Sequence, residues 1–193
     1  PNIYGLGHLP YYENVVNYED GYEIQKSNLE EIKKIDLGKF WSNNPKESRF
    51  GFIGKNYQRL HIKFISVIRN TDKPNQYFVY GKSMVSNNIC PFQGTIDILE
   101  SYSIRSAEFP NIETGILVGE YTFFEKHEMP HSGIFRGKFA TYWYKNDAGN
   151  FEYNDLFGSA AGYNNNQFAG LWSAYGSKNS KVANWGDSRI PQS

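Results

Sequence analysis

A five-residue phrase (aromatic, any residue, glycine, any residue, apolar) occurs three times in this chain. The copies are Phe92-Gln93-Gly94-Thr95-Ile96, Phe135-Arg136-Gly137-Lys138-Phe139 and Phe168-Ala169-Gly170-Leu171-Trp172. Side chains alternate across an extended strand, so the first, third and fifth positions of each copy share one face. Two large apolar groups mark that face as buried, and the glycine between them leaves a gap in it. Such a gap lets a strand bend sharply or lets another group approach the backbone, as a coiled sheet requires. The phrase constrains architecture before chemistry: it points to an antiparallel sheet that curls until it closes or nearly closes.

The remaining periodicity agrees. Leu60, Ile62 and Phe64 alternate with His61 and Lys63, and strand-like runs recur at Gln76 to Val85, Phe92 to Glu100, Ser101 to Phe109, Gly115 to Lys126, Ser132 to Lys145, Phe151 to Leu156, Gln167 to Tyr175 and Lys181 to Trp185. Polar turns separate them, among them Asn70 to Asn75, Ser86-Asn87-Asn88 and Asn146-Asp147-Ala148-Gly149-Asn150. No segment has the length and period of a crossover helix, which argues against an α/β fold. The expected fold is all-β: a single antiparallel up-and-down barrel of about eight strands over residues 50–193, with a two-layer β-sandwich as the alternative. Residues 1–49 read as an irregular N-terminal arm. Within it, Leu29, Ile32 and Ile35 suggest a short helix capped by Ser27 or Asn28, and Trp41 to Lys46 reads as a turn cluster.

Composition narrows the function classes. Twenty basic residues balance twenty acidic ones, without the basic excess that duplex binding uses to release counterions, so no nucleic-acid partner is expected. No run of about 18 apolar residues provides a transmembrane segment. The single cysteine, Cys90, forms no internal disulfide or cysteine metal cluster and reads as a small buried residue. Neither it nor the opening residues, which carry no charged-then-apolar leader, decides a compartment.

Few constellations suggest chemistry. His127-Glu128-Met129-Pro130-His131 matches the H-E-x-x-H zinc pattern, which needs a helix to bring both histidines to one face. Pro130 is incompatible with that helix interior, so a hairpin turn is expected. Asp97, Glu100, Glu120 and Glu125 fall on strands and read as exposed, although Glu125 shares a face with Tyr121 and Phe123. A glycosidase would need two facing carboxyl groups, and nothing in the spacing forces such a pair. No catalytic residue, metal ligand or cofactor is assigned. The strongest signal is aromatic, 17% of the chain. Tyr121, Phe123, Phe139, Trp143 and Trp172 are the candidate ligand-binding residues, since a barrel of about eight strands either fills with side chains or holds one small ligand. Tyr163-Asn164-Asn165-Asn166 suggests a sugar-binding rim, and Arg189 beside Trp185 an interface anchor.

Three runs, Phe50 to Leu60, Asn88 to Ile96 and Asn184 to Pro191, resemble a group of bacterial proteins of unknown function, across residues 50–191. The meander is also similar to the calycin superfamily of lipocalins, fatty-acid-binding proteins and avidins. Calycins commonly carry Gly-x-Trp on the first strand. Here Gly38-Lys39-Phe40-Trp41 is one residue longer, and Gly170-Leu171-Trp172 comes near the end. The resemblance implies a calycin-like barrel and a non-catalytic binding protein with a small apolar or amphipathic ligand in its mouth. A protein–protein interaction module and a glycan-active or glycan-binding protein are the alternatives.

Overall fold

The computed structural model describes residues 12–16, 23–42, 49–105, 109–156, 158 and 162–193. These contain β1 (Glu23–Ser27), α1 (Leu29–Ile32), α2 (Lys39–Ser42), β2 (Arg49–Ile53), β3 (Gln58–Arg69), β4 (Gln76–Val85), β5 (Asn88–Arg105), β6 (Thr114–Glu125), β7 (Gly133–Lys145), β8 (Phe151–Tyr153), β9 (Asn164–Ala174) and β10 (Ser180–Ser188). Strands β2 to β7 pair each with the next, β9 follows β7, and β10 follows β9 and returns to β2, every pairing antiparallel. The circuit closes, so the fold is an up-and-down barrel of eight strands and not a sandwich. Strands β1 and β8 lie outside it, against β5 and β7. Among the described residues no helix is long and apolar enough to cross a membrane.

The runs at 92–100 and 101–109 turn out to be one strand, β5, of 18 residues. Its register against β6 shifts between Ile98 and Glu100. An extra residue there breaks the two-residue period and reads in sequence as a strand end.

The glycine gaps are filled by a ring. Tyr121 stands opposite Gly137, and Gly137 opposite Gly170, so three neighbouring strands place them in one row. A Cβ added at Gly137 would lie 2.8 Å from Tyr121 Oη, and one at Gly170 2.7 Å from it. The tyrosine ring therefore packs over a floor that only glycine leaves open. Around it Phe168 stacks on Trp185 at 5.2 Å and on Phe139 at 5.6 Å, while Phe92 stacks on Phe123 at 4.9 Å. Offset and edge contacts of this kind add to the free energy of burying the rings.

The stretch before β2 is part of the core. Leu37, Phe40 and Trp41 are buried with the barrel interior. Trp41 packs edge-on to Tyr77 at 5.1 Å and Phe139 at 5.8 Å, and its Nε1 donates to Thr141 Oγ1 at 3.2 Å. Trp41 thus lies in a short helix that plugs the barrel, where a turn was expected; residues 43–46 lie outside the described residues. Asn28 does stand at the start of α1, yet its side chain does not cap the helix: it accepts a hydrogen bond from Ser101 Oγ at 2.5 Å. Tyr12, Val15 and Val16 cover a second apolar cluster on the outer wall with Ile116, Val118, Tyr142 and Ala169.

Candidate functional site

The barrel's two ends differ. One is closed by α2. At the other, the turns β2–β3, β4–β5, β6–β7 and β9–β10 surround an open cup of about 350 Å³. Its apolar wall is Ile53, Val85, Phe135 and Trp172, and its polar groups are Gln58, Ser83, Ser86, Asn88, Glu125, His131 and Lys181. Three of the turns carry left-handed backbone at non-glycine residues, Tyr57 at φ 49°, Ser86 at φ 54° and His131 at φ 56°. Asn88 ties the β4–β5 and β6–β7 turns together, its Nδ2 donating to the Pro130 carbonyl at 3.0 Å.

Glu125 is the acid of this cup. Alternation along β6 sends residues 121, 123 and 125 inward, and Glu125 ends the strand just where the interior opens. It is 5% exposed. Ser83 Oγ donates to its Oε1, while the Gly133 amide at 2.8 Å and Trp172 Nε1 at 2.9 Å both donate to Oε2. Its own carbonyl accepts from Tyr175 Oη at 2.6 Å. No ion pair reaches the carboxyl group among the described residues. Burial raises its pKa above the ordinary carboxyl value, and the three donated hydrogen bonds pull the other way without cancelling that effect. Glu125 in turn adds to the desolvation that raises the thiol of buried Cys90.

The five aromatic residues chosen from sequence do all point inward, but they are spread along the barrel axis. Tyr121, Phe123, Phe139 and Trp143 are packed in the interior, with Trp143 against Phe151 at the far side. Only Trp172 reaches the cup, 9% exposed, with Lys181 Nζ 5.6 Å from its ring. Sharing a face fixes which way side chains point and not how deep they sit, and a strand of 13 residues such as β7 runs the whole barrel. Sequence reasoning missed Glu125 as a site residue. The signal was its place on the Tyr121 and Phe123 face, where a charged group is an exception that demands partners.

Other sequence candidates resolve as structure. His127 and His131 lie in the expected exposed turn, His127 tilted against the Tyr175 ring at 4.7 Å, and the described residues hold no group of three potential metal ligands. Asp97 and Glu120 are neighbours across β5 and β6 on the outer wall, and Glu100 accepts from Tyr102 Oη at 2.7 Å, so the strand carboxylates do not converge. Asn165 and Asn166 are fully buried and bind the backbone of Tyr142 and Phe40, which leaves no asparagine rim for a sugar. Trp185 is buried at the centre of the ring cluster and cannot serve as a surface anchor beside Arg189. The outer wall does expose Ile68, Phe78, Tyr80 and Phe124, from β3, β4 and β6.

Beside the plug lies a polar groove of about 590 Å³ with a carboxylate of its own, Asp187. Arg49 Nε pairs with it at 2.9 Å, and Tyr153 Oη and Asn166 Nδ2 donate to it at 2.8 and 2.7 Å. Arg49 also donates to the Trp41 carbonyl at 3.0 Å, which links the ion pair to the plug. Burial and the Asp187 charge both raise the pKa of the Tyr153 hydroxyl, which keeps it a donor.

The chain was compared with protein-family models, curated proteins and solved structures, and it matches none of them.

Proposed function

We propose that this protein is a non-catalytic binding protein that holds a small amphipathic molecule in the open cup. The observation that carries this reading is the contrast between a densely packed interior and a 350 Å³ cup lined by Ile53, Val85, Phe135 and Trp172 around two buried polar residues, Ser83 and Glu125. Concave apolar sites with a few convergent polar groups are the usual form of small-molecule sites, and this volume is at their small end. Barrels of eight strands are of a size that holds one small ligand when side chains do not fill them. A lone carboxyl with no second acid or directed base beside it favours binding over acid–base turnover.

The test is titration of the full chain with a panel of small alcohols, amides and amines, followed by NMR of the four indole N–H signals. Binding in the cup moves the Trp172 signal and leaves those of Trp41, Trp143 and Trp185 in place. Compounds that bind without moving Trp172, or a panel with no binder, overturn the reading.

A further inference from the structure

We propose, resting on the reading of the cup as a ligand site, that the ligand carries a protonated amine that donates to Glu125. Every group that touches the carboxyl is a donor: the Ser83 hydroxyl, the Gly133 amide and the Trp172 indole. That shell matches a carboxylate and not a carboxylic acid. A carboxylate offers about four acceptor positions, of which these donors fill one on Oε1 and two on Oε2. The remaining position is on Oε1, and Glu125 lines the cavity. A buried carboxylate is ordinarily answered by a cation. Among the described residues the protein supplies one to Asp187 and none to Glu125. A ligand ammonium supplies the missing charge, with an apolar body against Phe135 and Trp172. Lys181 and His131 lie in the same cup lining, so the rest of the ligand is uncharged or acidic.

The proton inventory balances. Burial raises the Glu125 carboxyl above its ordinary range, so a proton taken up at lower pH competes with an entering ammonium. When that proton is present its O–H donates to Ser83 Oγ, and the Ser83 hydroxyl turns to the Cys90 carbonyl, 3.3 Å away. An ammonium that enters then displaces the proton to solvent, and Ser83 turns back to donate to Oε1. The other titratable groups facing this site are Cys90 on β5, Tyr175 after β9, His131 in the β6–β7 turn and Lys181 on β10. Burial and the Glu125 charge raise both the Cys90 thiol and the Tyr175 hydroxyl, which keeps them neutral near pH 7.

The experiment is calorimetry of the full chain at pH 7 with three probes of one shape: 2-phenylethylammonium, 2-phenylethanol and phenylacetate. The ammonium is expected to bind at least about tenfold more tightly than the alcohol, the gain of one charge-assisted hydrogen bond. Phenylacetate is expected to bind most weakly. Glu125→Gln keeps an acceptor for Gly133 and Trp172 and faces its amide toward Ser83, so the ammonium should fall to the level of the alcohol while the alcohol is unchanged. If the alcohol binds as tightly as the ammonium, or if Glu125→Gln keeps the preference, the amine inference fails and the cup remains a ligand site. If none of the three binds, both fail. Should Glu125→Gln not fold, lowering the pH decides: ammonium binding weakens while alcohol binding holds, and a flat ammonium profile overturns the proposal.

Discussion

The two ends of the barrel each hold a carboxylate by several donors, and they differ in what answers the charge. At the plugged end Asp187 accepts from Tyr153 and Asn166 and is paired with Arg49, which also grips the plug through the Trp41 carbonyl. At the open end Glu125 accepts from three donors and has no cation among the described residues. Hydrogen bonds satisfy lone pairs but do not remove a net charge from a low-dielectric setting. The first arrangement is complete within the chain and closes the barrel. In the second the described residues leave the charge without a partner.

That comparison breaks most visibly at the plug. Trp41→Ala removes a fully buried indole from between Tyr77 and Phe139. A loss of about 3–5 kcal/mol is expected from urea unfolding, and a loss under 1 kcal/mol would show that the plug is dispensable. Arg49→Met leaves Asp187 without its cation and should cost about 2–3 kcal/mol, below the fully buried case because both side chains keep some exposure. Adding Asp187→Asn should recover most of that; no recovery would mean that Arg49 acts only through the Trp41 carbonyl. Between the ends, Gly170→Ala drives a methyl against Gly137 and the Tyr121 hydroxyl, costing about 1–3 kcal/mol.

At the open end the sign reverses. Because burial raises the folded-state pKa of Glu125, its contribution is fully present below the ordinary carboxyl value of 4.5 and is lost as pH rises through the higher folded value. Glu125→Gln should remove that slope, so the variant gains on the parent as pH rises. Parallel stability–pH curves for the two proteins would refute it. The smallest effect belongs to Tyr121, whose hydroxyl is buried with no hydrogen-bond partner. Tyr121→Phe should stabilise by up to about 1 kcal/mol in the same assay, and a clear loss would show that the hydroxyl does more than fill the glycine gap.

Much of the barrel was legible because alternation is a local property. Leu60, Ile62 and Phe64 declare their face without knowledge of any partner, and β4 begins and ends where its pattern does. Reading failed where a partner decides. The bulge after Ile98 split one strand into two, and β1 is a strand only because β5 lies beside it. Trp41 looked like the start of a turn because its helix is one turn long and held by the barrel it closes. The five aromatic candidates all face inward, and of them Trp172 alone lines the cup.

The sequence by itself determined the class: a two-residue period, aromatic-glycine phrases and short polar turns leave few options besides a coiled antiparallel sheet. It also put Glu125 on the face of Tyr121 and Phe123, while reading the residue itself as exposed. Only the tertiary structure decided that β10 meets β2, that Tyr121 fills the gap over Gly137 and Gly170, and that one end is plugged while the other stays open. The reason is physical. Which way a side chain points follows from its own backbone, whereas what it meets there, a ring, a cation or empty space, depends on strands remote in sequence.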